Sequence, residues 1–235
     1  MKKIFKFLKT LFIVFILTCI FIVGVITING YNMYKDAVNK ISIEDRVDEI
    51  RIKKGYVKIE QIPKEYKEAV ISIEDHRFYN HSGIDYISTF RAFFNNIQAK
   101  SLAEGGSTIT QQLSKNMYFT QEKKFVRKVA ELFVAFKLEK KYSKNDILEL
   151  YINLSYYGNG YNGIDAACKG YFKKEPINMT LDESTLLAGI PNAPSVYALT
   201  ANPELSRQRQ KQVLNSMVKY NYLTDELAKE VMNKY

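Results

Sequence analysis

A chain of 235 residues, 46% apolar and 25% charged, holds enough apolar material for one packed domain plus an appendage, which excludes global disorder. Its net charge of +9 falls to about +5 once Lys2, Lys3, Lys6 and Lys9 are set aside, a basicity that suits an anionic partner: phosphate, acidic lipid or nucleic acid. Cys19 and Cys168 stand in different surroundings with no Cys-x-x-Cys spacing, so neither a disulfide between them nor a zinc site is expected.

Behind the lysine-rich start, Leu11 to Ile28 runs without a charge. At about 1.5 Å per residue it nearly crosses a hydrocarbon core of about 30 Å. A signal peptide would have a shorter apolar run and a small-residue cleavage site, and a core helix would not sit beside a lysine cluster at the N-terminus. Residues 11–30 are therefore read as a retained transmembrane anchor. The lysines of residues 1–10 belong in the cytoplasm and the chain beyond about residue 35 outside it. That placement removes ATP-dependent chemistry and a role on chromosomal DNA.

Residues 31–62 read as a connector, in which the alternation of Arg51–Ile59 about Lys54-Gly55 predicts a short hairpin. Residues 63–235 read as one mainly α domain. Pro63 opens a helical pattern that ends at Glu74. Ile84, Ile87, Phe90, Phe94 and Ile97 recur at helical spacing over residues 84–98, with Phe93 added. That stripe faces either the core or the outer leaflet. Residues 100–106 predict a break, Ser107–Asn116 a helix, and Glu122–Tyr142 a long basic helix. Ser143 with Asp146 and Thr180 with Glu183 form capping boxes opening helices to Leu154 and over Ser184–Ile190. Residues 203–220 and 225–234 predict two closing helices.

Three stretches carry chemistry. Glu74-Asp75-His76-Arg77-Phe78-Tyr79-Asn80-His81-Ser82-Gly83 gathers two carboxylates, an arginine and both histidines behind the apolar Ala69–Ile73. An apolar run delivers a carboxylate to a cleft edge, where desolvation raises its pKa towards the range of a general acid or base. A salt-bridged Asp75/Arg77 at a helix end is the plainer alternative. Gly105-Gly106-Ser107-Thr108-Ile109-Thr110-Gln111-Gln112 places glycines before a helix start, with Lys115 two turns on, an arrangement that suits a phosphate or sugar hydroxyls but not a P-loop. Arg127-Lys128-Val129-Ala130-Glu131 sets one carboxylate among cations, either as an ordinary i,i+4 pair or as a diphosphate site beside a second acid. A metal-dependent phosphatase built on Asp75, His76, His81 and Asp85 lacks ligand spacing.

These stretches, in order, resemble the glycosyltransferase family 51 domain of class A penicillin-binding proteins, and most closely the free-standing monofunctional peptidoglycan glycosyltransferases. Glu74–Gly83 is similar to E-D-x-x-F-x-x-H-x-G, Gly105–Asn116 to G-G-S-T-I-T-Q-Q-x-x-K-N, and Arg127–Glu131 to R-K-x-x-E. Ile147–Asn153 with Tyr157–Ile164 forms a fourth match, and Glu183–Tyr197 a fifth, continued by Asn202-Pro203 and Arg207. Ser114 stands where an apolar residue is commoner. The Ser-x-x-Lys, Ser-x-Asn and Lys-Thr-Gly set of a transpeptidase does not appear, so no transpeptidase half is expected.

The resemblance implies a lysozyme-like, mainly α domain with a smaller membrane-associated lobe around Phe90, Phe93 and Phe94. It implies polymerisation of lipid II with inversion and release of undecaprenyl diphosphate. Glu74 would be the general base, and Glu131 would orient the donor or assist the leaving group. Arg91, Ser107, Thr108, Gln111, Lys115, Asn116, Arg127 and Lys128 would bind substrate, while Asp75, Arg77, Phe78, His81 and Gly83 would support the Glu74 loop. The implied partners are lipid II, the growing glycan, membrane lipid and other cell-wall synthesis proteins, with no nucleic acid. No metal ligand is assigned, although the resemblance carries stimulation by a divalent cation such as Mg or Mn. A muramidase-like hydrolase is the competing reading.

Overall fold

The computed structural model describes residues 2–99, 105–119 and 124–234. The predicted break thus lies largely outside the described residues, as do the first residues of the predicted basic helix and the side chain of Phe93. Among the described residues the fold is helical, and its only pairing of extended backbone is an isolated bridge between Tyr156 and Asn162.

Helix α1 spans Lys2–Lys40 without interruption. It is the one described helix long and apolar enough to cross a membrane. Most of its apolar side chains from Ile4 to Ile28 are exposed. The helix does not stop where the anchor was expected to end. It continues onto α6 (Lys124–Lys141), with the rings of Tyr31 and Tyr34 at 5.2 and 5.6 Å from that of Phe133. Gly30 marks the crossing: a Cβ there would lie 2.5 Å from Val129 Cβ and 3.0 Å from the Val126 carbonyl oxygen. Gly30→Val is therefore expected to force the helices apart and cost about 1–3 kcal/mol, the usual size of overpacking. A lowered Tm of the detergent-solubilised chain would show it. Gly24→Val is the control, since nothing lies within 4 Å of a Cβ there. An unchanged Tm for Gly30→Val would mean that the crossing is loose.

Helix α2 (Ile43–Arg51) is capped by Ser42, whose hydroxyl accepts the Asp45 N–H, and buries Ile43, Val47 and Ile50 on one face. The hairpin expected over Arg51–Ile59 does not form. The turn is there, with Gly55 at φ +82°, but no strands flank it. Helix α7 (Lys144–Leu154) takes the place of a partner strand. The Asn153 carboxamide accepts the Val57 N–H and donates to the Val57 carbonyl, both at 2.8 Å. One turn earlier, the buried Glu149 carboxylate accepts the Ile59 N–H at 2.7 Å and the Tyr56 hydroxyl at 2.5 Å. The fourth motif is thus a clamp on residues 56–59.

The core lies among α3 (Lys64–Glu74), α5 (Ile109–Tyr118), α6, α7, α8 (Ile164–Phe172), α9 (Leu181–Ala188) and α11 (Pro203–Lys219). Tyr66, Phe78, Leu113, Leu138, Tyr151 and Val213 are all buried within it. Both capping boxes form, but Thr180 starts α9 at Leu181, three residues before the expected Ser184. Buried Ser114 is satisfied by donating to the Thr110 carbonyl at 2.7 Å. Helix α10 (Pro194–Tyr197) leads into α11, and α12 (Asp225–Met232) closes a small satellite core with Leu214. Helix α4 (Tyr86–Ala99) presents Ile87, Phe90 and Phe94 to the outside, so these three do not face the core; Ile84 is half-buried, and the side chain of Ile97 lies outside the described residues.

Candidate active site

Helix α3 buries Ala69, Val70, Ile71 and Ser72 and then runs out of the core at Glu74, on the wall of a cleft of about 740 Å³. The Glu74 side chain is 7% exposed. Its Oε2 accepts a 2.7 Å hydrogen bond from Gln112 Nε2, while buried Oε1 has no hydrogen-bond partner and faces the Arg209 guanidinium at 3.6 Å. Burial pushes the Glu74 carboxyl up, and the neighbouring Asp75 adds to it. Gln112 and Arg209 pull the other way without cancelling the rise. A buried carboxylate with an unused oxygen at a cleft wall is equipped to take a proton.

The loop after Glu74 is held by a web of hydrogen bonds and one ion pair, differently from the Asp75/Arg77 bridge expected as the plainer alternative. His81 Nε2 lies 2.9 Å from both oxygens of buried Asp75, which also accepts the Ile109 N–H at 3.0 Å. Asp75 so ties the end of α3 to the first turn of α5, where a carboxylate complements the helix dipole. Arg77 turns instead to Asp85, which it grips with two guanidinium donors, and Ser88 adds its N–H and hydroxyl. Burial works against the charge on Asp85, yet Arg77 and Ser88 outweigh it and hold the carboxyl far below the usual carboxylate range. Phe78 is fully buried beneath this loop, and Gly83 takes φ +88°, a left-handed conformation that glycine supplies without strain.

Of the expected substrate-binding residues, Arg91, Ser107, Thr108, Gln111, Lys115, Arg127 and Lys128 all line the cleft with Glu74 and Glu131. Asn116 is exposed and lies outside the cleft lining. Thr108 and Gln111 line the wall but spend donors elsewhere: the Thr108 hydroxyl and Gln111 Nε2 both donate to the Gly83 carbonyl, at 2.7 and 3.3 Å. Thr108 is also the N-cap of α5. These two residues brace the Glu74 loop, a role the sequence reading had given to others.

Helix α6 forms the cationic wall. Buried Glu131 accepts from Arg127 Nε at 2.9 Å and pairs with Lys128 Nζ at 3.2 Å. Lys128 also donates to Ser107 Oγ at 2.8 Å, which joins α6 to the loop before α5. Burial lowers the Lys128 pKa, and Glu131 opposes that fall. Elsewhere in the cleft the His76 ring stacks on Tyr220 at 4.2 Å and 12°. Burial, helped by nearby Arg91, keeps His76 below the ordinary histidine value.

Among the described residues, Asp75 and Asp85 do not make a cation site. Asp75 is taken by His81 and an N–H, and Asp85 by Arg77 and Ser88. Among the described residues no three His, Cys, Asp or Glu side chains converge.

Sequence reasoning places Gln112 in the polar start of α5 but not against Glu74, which it touches, and it misses Arg209 on distant α11. Gln112 sits in the glutamine pair of α5, and only the seating of α5 against α6 and α7 decides which glutamine faces Glu74. Replacing Gln112 by Met removes a donor that favours the ionised carboxylate. The acid limb of the activity–pH profile is expected to move to higher pH. An unmoved limb would show that Glu74 does not set it.

A buried carboxylate and a cation-bearing helix thus line one cleft, in a helical domain continuous with a long apolar helix. Residues 43–218 match the family described as Transglycosylase, and the chain belongs to that family. It is 45% identical over 176 residues to penicillin-binding protein 1F of Bacillus subtilis, covering 75% of this chain and 24% of that one. It is 41% identical over 182 residues to penicillin-binding protein 1A of Aquifex aeolicus, covering 77% and 25% respectively. Against the crystal structure of penicillin-binding protein 1A from Haemophilus influenzae, it aligns with a TM-score of 0.47 at 20% identity, over 77% of this chain and 17% of that chain. The chain spans about a quarter of the length of the curated relatives it matches.

Proposed function

We propose that this chain is a peptidoglycan glycosyltransferase that polymerises lipid II on the outer face of the cytoplasmic membrane. The observation that carries the reading is the environment of Glu74: buried, raised in pKa, and holding one oxygen without a hydrogen-bond partner in the cleft lined also by Arg127, Lys128 and Glu131. Glu74 takes the proton from the 4-hydroxyl of the acceptor lipid II. The freed oxygen attacks the anomeric carbon of the donor's muramic acid, a new glycosidic C–O bond forms, and the bond to the diphosphate breaks with inversion. Arg127, Lys128 and Lys115 receive the charge that builds on the undecaprenyl diphosphate. Helix α1 keeps the cleft beside the bilayer, with its lysine-rich end in the cytoplasm, and the exposed Phe90 and Phe94 dip into the outer leaflet as a membrane-associated lobe.

The test is incubation of the detergent-solubilised chain with lipid II, with products resolved by length. Long β-linked glycan and free undecaprenyl diphosphate are expected. No polymer, with cleavage of preformed glycan instead, would replace this reading with a muramidase-like hydrolase.

A further inference from the structure

A second cavity, of about 650 Å³, lies between the last turns of α1, the start of α2 and the adjoining ends of α5 and α6. No step of the proposed reaction uses it, although Arg127 lines both it and the reaction cleft. Its position is set by the anchor: Asn29, the first α1 residue on its wall, directly follows the strongly apolar stretch that ends at Ile28. With α1 read as the membrane span, the cavity sits where hydrocarbon gives way to headgroups.

Its lining is amphiphilic. Met33, Phe119 and Val126 supply apolar surface. Lys40, Arg46 and Arg127 supply positive charge against the single carboxylate of Asp36. Arg46 has donor capacity to spare. Its Nη1 bridges Glu49 at 2.8 Å and its guanidinium lies over the Tyr118 ring at 5.6 Å, but its Nε is buried without a hydrogen-bond partner. A cationic recess with an apolar flank at the bilayer boundary complements a molecule with an anionic head and acyl chains.

We propose that this cavity seats the headgroup phosphate of an anionic phospholipid, with Arg46 and Lys40 on the phosphate and the acyl chains running down α1. This rests on the reading of α1 as a span whose Asn29 end meets the outer surface. Seated there, the lipid touches α6 one residue from Lys128, so its occupancy bears on the helix that forms the cationic wall.

The experiment titrates the detergent-solubilised full chain with dihexanoyl phosphatidylglycerol and, separately, dihexanoyl phosphatidylcholine, and reads bound lipid by native mass spectrometry. The anionic lipid is expected to bind at least tenfold more tightly. Lys40→Gln and Arg46→Gln are each expected to weaken it by roughly tenfold, the size of one charge-assisted contact. Lys53→Gln, in the exposed turn after α2, leaves binding unchanged. Melting curves verify that each variant is folded, and exposed Lys40 keeps the test valid should Arg46→Gln unfold. Equal binding of the two lipids, or binding indifferent to both variants, overturns the proposal. So does farnesyl diphosphate displacing phosphatidylglycerol from wild type and binding far more tightly, which would give the cavity to a prenyl diphosphate. Labelling Lys54→Cys from outside intact cells tests the span by itself. Failure to label removes the outer-leaflet placement without altering the binding result.

Discussion

Glu74→Gln is expected to lower the rate of glycan polymerisation by roughly 10²–10⁴-fold, the usual contribution of a positioned general base, while the protein gains stability. Gln112 fixes the side chain and a carboxamide keeps its shape, so the fold has little reason to change. The gain follows from linkage. Burial holds the carboxyl above its ordinary value of 4.5 despite Gln112 and Arg209. A carboxyl raised in this way binds protons on folding, so its contribution is fully present below that ordinary value and is lost as pH rises through the folded one. Wild type therefore bears a penalty at neutral pH that glutamine lacks. The variant is expected to melt higher than wild type at pH 7 and to converge with it below pH 4.5. A polymerising Glu74→Gln would remove the residue from the base role. An inactive variant that also melts lower at pH 7 would mean that Glu74 holds the fold together.

Glu131→Ala is expected to cost about 3 kcal/mol of stability, the low end for breaking a buried ion pair. Glu131 is 2% exposed and Arg127 15%, so the helix loses a buried negative charge from among its cations where little water can replace it. Lys128, 40% exposed, can turn outward, which keeps the cost from being larger. The cationic wall would then lose its geometry, and polymerisation would fall with it. Arg127→Met combined with Glu131→Leu separates the two effects. The neutral pair is expected to recover the melting temperature and leave the enzyme slow, because no guanidinium meets the leaving diphosphate. Recovery of both would make the ion pair purely structural.

Much of this organisation can be read along the chain, because it depends on neighbours in sequence. Ser143 and Thr180 cap their helices through residues three positions on, and the charge-free run of α1 announces itself by length alone. The cleft is also legible in outline, since Glu74, the glycine-led α5 and the cationic α6 each carry a local signature. What could not be read depends on partners far apart in sequence. Tyr56–Ile59 alternates like a strand, and only the arrival of Glu149 and Asn153 turns it into extended backbone clamped by a helix. Thr108 and Gln111 read as sugar ligands, and only the fold shows that both also hold the Gly83 carbonyl. Arg77 has Asp75 two residues away, yet Asp85 at the start of α4 takes it. Arg209 reaches Glu74 only because α11 packs across α3.

The continuity of α1 has a mechanical consequence. The helix passes from the apolar run to its crossing with α6 with no loop between, and at Gly30 the two backbones touch closely. With α1 as the proposed span, the domain is mounted on it without a swivel. A span that meets a thinner bilayer leans over rather than compressing, and this enzyme would lean as one piece. Membrane thickness would thus set the angle at which the cleft addresses the headgroup layer, making reach towards a lipid-linked substrate a property of the surrounding lipid as much as of the protein.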